Sequence, residues 1–132
     1  MPSVLDASTL LAYLRDEQGA EVVSDAIAIG TSISTVNLAE VLSRVADRGE
    51  DPVGLAERMV TRGLLDGAVT IEPFTTADAI AVARLRSITR RQGLSLGDRA
   101  CIALAGRLDL PALTADTAWS RLDLSVELRQ IR

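Results

Sequence analysis

The chain contains no histidine and no lysine. Lack of histidine removes imidazole acid–base catalysis, His-ligated zinc and Ser-His-Asp triads. Lack of lysine removes Schiff-base chemistry, the P-loop and any lysine partner for an aspartyl-phosphate. Aromatic residues make up only 2% of the sequence, so base stacking cannot dominate contact with a single strand. The lone cysteine, Cys101, sits among Ala, Ile and Leu in a helical pattern, which suits a buried reduced thiol better than a nucleophile. No apolar run approaches the roughly 18 residues of a membrane span. Met1-Pro2-Ser3-Val4-Leu5-Asp6 lacks the basic start of a signal peptide, so a cytoplasmic location is expected. An enzyme made from this chain must work with Asp, Glu, Arg, hydroxyl groups and a metal ion.

At 132 residues the sequence predicts one domain, 1–132, and its 48% hydrophobic and 24% charged content is that of a globular protein. A net charge of −4 runs against the basic footprint usual for nucleic-acid binding. With Asp6, Glu40, Asp98 and Asp116 set aside, however, the remaining 14 acids balance 14 cations. Every cation is an arginine, the better fork for phosphate.

Short apolar runs alternate with helical patterns along the whole chain. Ser3-Val4-Leu5 reads as a strand ended by Asp6, followed by a helix to about Arg15 capped by Asp6 or Ser8. A second short helix runs from Glu21 to Ile29, and Ile33-Ser34 is a weak strand. Thr35 opens a helix from Val36 to Arg48 with Leu38, Val41, Leu42 and Val45 inward. Pro52 starts a helix predicted to reach Leu65, and Val69-Thr70-Ile71 is a strand. Thr76 or Asp78 caps a helix to about Arg91, and a further helix ends near Leu108. Ala112-Leu113-Thr114 is a strand delivering Asp116, a helical turn carries Trp119, and a last strand lies near Leu128 to Ile131. This alternation predicts an α/β fold: a single three-layer α/β/α sandwich with a mostly parallel sheet of about five strands.

Four acids stand out by position. Asp6 and Asp116 follow strands at their C-terminal ends, where open α/β sheets place their sites. Asp98 completes a capping-box pattern with Ser95, yet Cys101, Ala105 and Leu108 follow it at core-facing intervals. Glu40 can pair with Arg44 one turn on. Each acid has a local explanation, but these do not account for four acids at such positions. Close together and unneutralised, carboxylates repel by about 4 kcal/mol per pair at an effective dielectric near 20. A hard divalent cation, Mg²⁺ or Mn²⁺, converts that repulsion into binding. It would also activate water for attack on a phosphodiester, which removes the need for histidine.

Val4-Leu5-Asp6-Ala7-Ser8, Asn37-Leu38-Ala39-Glu40-Val41, Leu94-Ser95-Leu96-Gly97-Asp98-Arg99-Ala100-Cys101 and Leu113-Thr114-Ala115-Asp116-Thr117-Ala118-Trp119 resemble, in order and spacing, the motifs of the PIN domain. More narrowly, they resemble those of the VapC ribonuclease toxins of VapBC toxin–antitoxin pairs. The resemblance implies a PIN-like fold and a Mg²⁺- or Mn²⁺-dependent endoribonuclease. Asp6 and Asp98 would be the principal metal ligands, Glu40 and Asp116 would complete the catalytic acidic cluster, and Ser8 and Thr114 would support it. Trp119 stands where some relatives place a further acid, which leaves a second metal position thinly provided for. The resemblance also implies an RNA substrate, a VapB-type antitoxin and a homodimer.

No acid lies between Asp78 and Asp98, whereas Arg84, Arg86, Arg90 and Arg91 do, and Arg99 follows. Arg86, Arg90, Arg91 and Arg99 are therefore candidate grips for RNA phosphates. The apolar residues on several sides of the predicted Pro52–Leu65 helix, Met59 among them, suit a groove for a partner helix. Two other readings remain at this point. One is a catalytically inactive PIN-like protein-binding module, which the four intact acids disfavour. The other is a metal-dependent phosphatase, which lacks here its Asp-x-Asp and partner lysine.

Overall fold

Successive side chains of a strand point to opposite faces of a sheet, and in β1 (Ser3–Leu5) both directions are apolar. Leu5 enters a core with Leu10 and Leu11 of α1 (Ala7–Leu14), Val23 and Ile27 of α2 (Ala20–Ile29) and Met59 of α4 (Pro52–Thr61). Val4 enters a second core with Cys101, Ile102, Leu104 and Ala105 of α6 (Leu96–Leu108), closed by Trp119. A strand buried on both sides is the signature of a parallel sheet covered by helices. The computed structural model, which describes residues 1–132, has that architecture. β1, β2 (Thr31–Ser34), β3 (Val69–Glu72), β4 (Ala112–Thr114) and β5 (Leu128–Gln130) pair in parallel in the order β3-β2-β1-β4-β5.

That order contains a reversal. From β1 the chain moves outward through β2 and β3, then crosses back to lay β4 on the other side of β1. The register Val4–Ala112 and Leu5–Leu113 matches the two strands face for face. The carboxyl ends of β1 and β4 therefore flank the topological switch, where an open α/β sheet leaves a crevice. α3 (Thr35–Asp47) straddles the layers, with Val41 in the first core and Val36 against a third cluster formed by α5 (Thr76–Thr89) and α6.

The fold is the predicted three-layer sandwich, with displaced element ends. β2 begins at Thr31 rather than Ile33, and Ser34 rather than Thr35 caps α3. α4 stops at Thr61, because Gly63 and Asp66 take positive φ and Leu65 bridges to Val69 instead of continuing the helix. α5 is capped by Thr75 and ends at Thr89, before a 3-10 turn over Arg90–Gln92. No helix is long and apolar enough to cross a membrane.

Asp78, third in α5, completes a capping box with Thr75 and accepts two hydrogen bonds from Arg107 of α6, at 2.9 and 3.1 Å. Burial pushes its carboxyl up, but the Arg107 guanidinium and the Thr75 amide more than offset this and hold it below the ordinary carboxylate range. A depressed folded value stabilises the protein above the unfolded value near pH 4, roughly, and the benefit fades as pH falls through the folded one. Arg107→Met is expected to cost about 1–2 kcal/mol at neutral pH, since Arg107 is partly solvated. It should also move the midpoint of acid unfolding, followed by circular dichroism, to higher pH. An unchanged midpoint would remove the pair from the stability account.

Candidate active site

Asp6 leaves β1 and caps α1, its Oδ1 accepting from the Thr9 amide at 2.9 Å. It is 3% exposed, and no cation pairs with it. Two hydroxyls compensate. Ser8 Oγ donates to Oδ1 at 2.7 Å, and Thr114 Oγ1, at the end of β4, donates to Oδ2 at 2.6 Å. The same hydroxyl oxygens accept from the backbone amides of Ala115 and Asp116, at 3.0 Å each. A hydroxyl has one proton. With those amides on the acceptor side, both protons are directed at Asp6. Burial pushes the Asp6 carboxyl above its ordinary value, opposed by the bonds from Thr114, Ser8 and Thr9.

The other acids arrive at the same crevice. Asp116 follows β4 and caps the 3-10 turn Thr117–Arg121 through Oδ1 and the Ala118 amide, at 2.9 Å. Asp98 closes the capping box of α6, its Oδ2 accepting from the Ser95 amide at 2.9 Å. It is half-exposed, so it caps the helix and faces the cleft at once rather than pointing into the core. Glu40 comes from α3, and no ion pair joins it to Arg44. Asp6, Ser8, Glu40, Arg44, Asp98 and Asp116 line one cleft of about 270 Å³, and Thr114 lies buried behind it.

Two residues that the sequence reading did not single out set this spacing. Asn37, 1% exposed, donates Nδ2 to the carbonyl of Gly97 at 2.9 Å and so ties α3 to the first turn of α6. Its Oδ1 is buried without a partner. A Cβ on Gly97 would lie 3.2 Å from Glu40 Oε1, so only glycine lets the Glu40 carboxylate approach Asp98's helix unhindered. The available signal was a polar residue on a core-facing helical stripe, three positions before Glu40.

Arg99 corrects an expectation. It is 7% exposed, with Nη1 donating to the Val82 carbonyl at 3.1 Å, so it braces α6 against α5 and does not reach a solvent-borne phosphate. Arg86, Arg90 and Arg91 are exposed but do not line the acidic cleft. Cys101 is fully buried, and burial together with the negative Asp6 and Asp98 pushes its thiol well up, which makes it inert.

All the candidate ligands are oxygens, and the capping bonds leave an oxygen free on both Asp98 and Asp116. Asp6 uses three of about four acceptor sites. No three carboxylates, however, are drawn close enough to hold an ion with protein atoms alone. Such a donor set would suit only an ion that keeps several waters and takes one or two carboxylates plus substrate phosphate, as Mg²⁺ does. Because the Thr114 hydroxyl proton is directed at Asp6 Oδ2, an asparagine there would set a donor against a donor, and Asp6→Asn is expected to lower stability in chelator by on the order of 1 kcal/mol. The melting temperature should fall by about 3 °C. A raised melting temperature would show that relief of the desolvated charge outweighs its hydrogen bonds.

Comparison with curated proteins gives no match. Among solved structures, the chain is similar to VapBC2 from Rickettsia felis bound to a promoter DNA fragment (16% identity, 98% of each chain, TM-score 0.72). It is also similar to FitAcB from Neisseria gonorrhoeae (22% identity, 98% of this chain and 97% of that one, TM-score 0.71). A third is Mycobacterium tuberculosis VapC20, described as a sarcin-ricin loop cleaving toxin (12% identity, 92% and 96%, TM-score 0.67). Likeness at such identities establishes the fold. The PIN domain family model, by contrast, matches residues 3–124 by sequence, and the chain therefore belongs to the PIN-domain family.

Proposed function

We propose that this PIN-domain protein is an endoribonuclease of the VapC type, the toxin of a toxin–antitoxin pair. The observation that carries the reading is one cleft at the sheet's switch point that gathers Asp6, Glu40, Asp98 and Asp116. Asp6 and Asp98 would be the principal residues holding Mg²⁺ or Mn²⁺, with Glu40 and Asp116 completing the cluster. Once bound, the ion would polarise the scissile phosphate and make water acidic enough to attack it near neutral pH.

The chain's own residues supply the rest. Ser8, Thr9 and Thr114 hold Asp6 in one orientation, so its remaining acceptor site needs no reorganisation. The capping bonds of Asp98 and Asp116 fix one oxygen of each and turn the other toward the cleft. Arg86 on α5 and Arg90 and Arg91 on the following turn lie outside the cleft. We assign them to phosphates farther along the strand.

The first experiment is incubation of RNA with Mg²⁺, Mn²⁺ or chelator, beside Asp98→Asn. Metal-dependent fragments that Asp98→Asn reduces by at least a hundredfold are expected, with the variant's melting temperature kept. Undiminished cleavage by Asp98→Asn would overturn the site. No cleavage and no metal binding by the unaltered chain would favour the inactive module.

A VapB-type antitoxin is proposed to seat on the groove of about 600 Å³ beside α4, where Leu55 and Met59 face Tyr13, Leu14 and Ile27. The VapBC2 structure of Rickettsia felis supports a partner of that kind, and a homodimer is proposed with it. Arg62→Glu, an exposed change on the wall of that groove, is expected to keep cleavage and weaken neutralisation by a VapB-type protein that silences the unaltered chain. Full neutralisation would place the antitoxin elsewhere.

A further inference from the structure

The acidic cleft has one cation in its walls. Arg44 lies in the last turn of α3, four residues after Glu40, and its side chain is exposed. At that spacing it could neutralise Glu40, yet the two form no ion pair. Glu40 is turned the other way, its Oε1 lying 3.2 Å from where a Cβ of Gly97 would stand. Asp6, Asp98 and Asp116 already accept bonds from hydroxyls or backbone amides. Arg44 thus lines the same cleft as four carboxylates and is ion-paired with none of them.

No other arginine is so placed. Arg107 and Arg129 are in ion pairs, and Arg99 of α6 is buried against α5. Arg58 and Arg62 line the groove beside α4, and Arg86, Arg90 and Arg91 lie off the cleft. An RNA strand entering the cleft brings phosphates toward carboxylates, and a planar fork of five donors is the group that holds a phosphate bidentately.

We propose that Arg44 binds the non-bridging oxygens of a backbone phosphate next to the scissile one, and so seats RNA in the acidic cleft. The assignment rests on the nuclease reading above and adds a substrate contact to it. Arg44 has no part in holding the metal ion. It acts on binding of the strand rather than on the chemical step.

The test compares Arg44→Gln and Arg44→Lys with the unaltered chain. The readouts are Mn²⁺ binding, affinity for a single-stranded RNA oligonucleotide in Ca²⁺ over a range of salt, and the kcat and KM of cleavage. Arg44→Gln is expected to weaken RNA affinity and raise KM about tenfold, with kcat within about threefold and Mn²⁺ binding unchanged. Its salt slope should fall by about one. Arg44→Lys should recover the slope but only part of the affinity, since a point charge replaces a fork.

Unchanged RNA affinity and slope in Arg44→Gln overturn the proposal while leaving the nuclease reading intact. Weakened Mn²⁺ binding, or a fall in kcat at constant KM, overturns it in favour of a role within the acid cluster. RNA bound through Arg44 but not cut by the unaltered chain sustains the contact and defeats the nuclease reading. No RNA binding at all by the unaltered chain overturns the contact.

Discussion

The structure turns on a carboxylate buried without a counter-ion. Asp6 sits between the two central strands of the sheet, and its charge is met only by two hydroxyls and one amide. Removing a carboxylate from water is unfavourable unless its acceptors are filled. Filling them dictates the surroundings. Thr114 must end β4 directly beside Asp6, which requires the β1–β4 pairing and therefore the crossover from β3. Ser8 must bridge back to Ala115, which fixes where α1 leaves the sheet. Topology, strand register and the start of α1 are all tied to the oxygens of this side chain.

At three of the four acids, helix capping and the site are one arrangement. Asp6 and Asp116 are N-caps that accept from free backbone N–H groups of the segments they open, and Asp98, third in α6, accepts from the amide of its N-cap Ser95. A cap fixes the carboxylate's orientation and places it near the positive end of the peptide dipoles. That attraction offsets part of the repulsion among the acids. Glu40 lacks such a cap, and its position depends instead on the contact between α3 and α6 made by Asn37 and Gly97.

Much of this was legible in the sequence because it is encoded locally. Strand ends followed by Asp, Ser95 three residues before Asp98, and apolar runs alternating with helical stripes are short-range patterns, and they located the sheet and the four acids. What was not legible depends on residues far apart in the chain. The Asn37–Gly97 bond spans 60 positions and leaves no periodic trace. Arg99 read as a solvated cation because charge counts along the chain ignore which helix packs on which. In the structure Val82 of α5 supplies its acceptor and removes it from solvent. The end of α4 was misplaced for a related reason, since Leu64 and Leu65 extend the apolar helical pattern but pack on the core from a turn, Leu65 buried and Leu64 partly so.

Part of the site's cost to stability lies where α6 meets α3 and α5. Asn37 Oδ1 and Arg99 Nε there are buried polar atoms without protein partners, as are Ser3 Oγ, Gln92 Oε1 and Trp119 Nε1 elsewhere, and each such atom carries a penalty of about 1–3 kcal/mol. A protein selected for stability alone would fill these positions with apolar groups. Here Asn37 and Arg99 hold the helices that present Glu40 and Asp98, so their replacement would free the fold of a burden and the site of its spacing. The opposing contributions lie away from the crevice, in the two apolar cores on either face of β1 and in the Asp78–Arg107 pair that joins α5 to α6. Stability is thus gathered in the layers, while Asn37 and Arg99 trade some of it for the placement of the helices that carry Glu40 and Asp98.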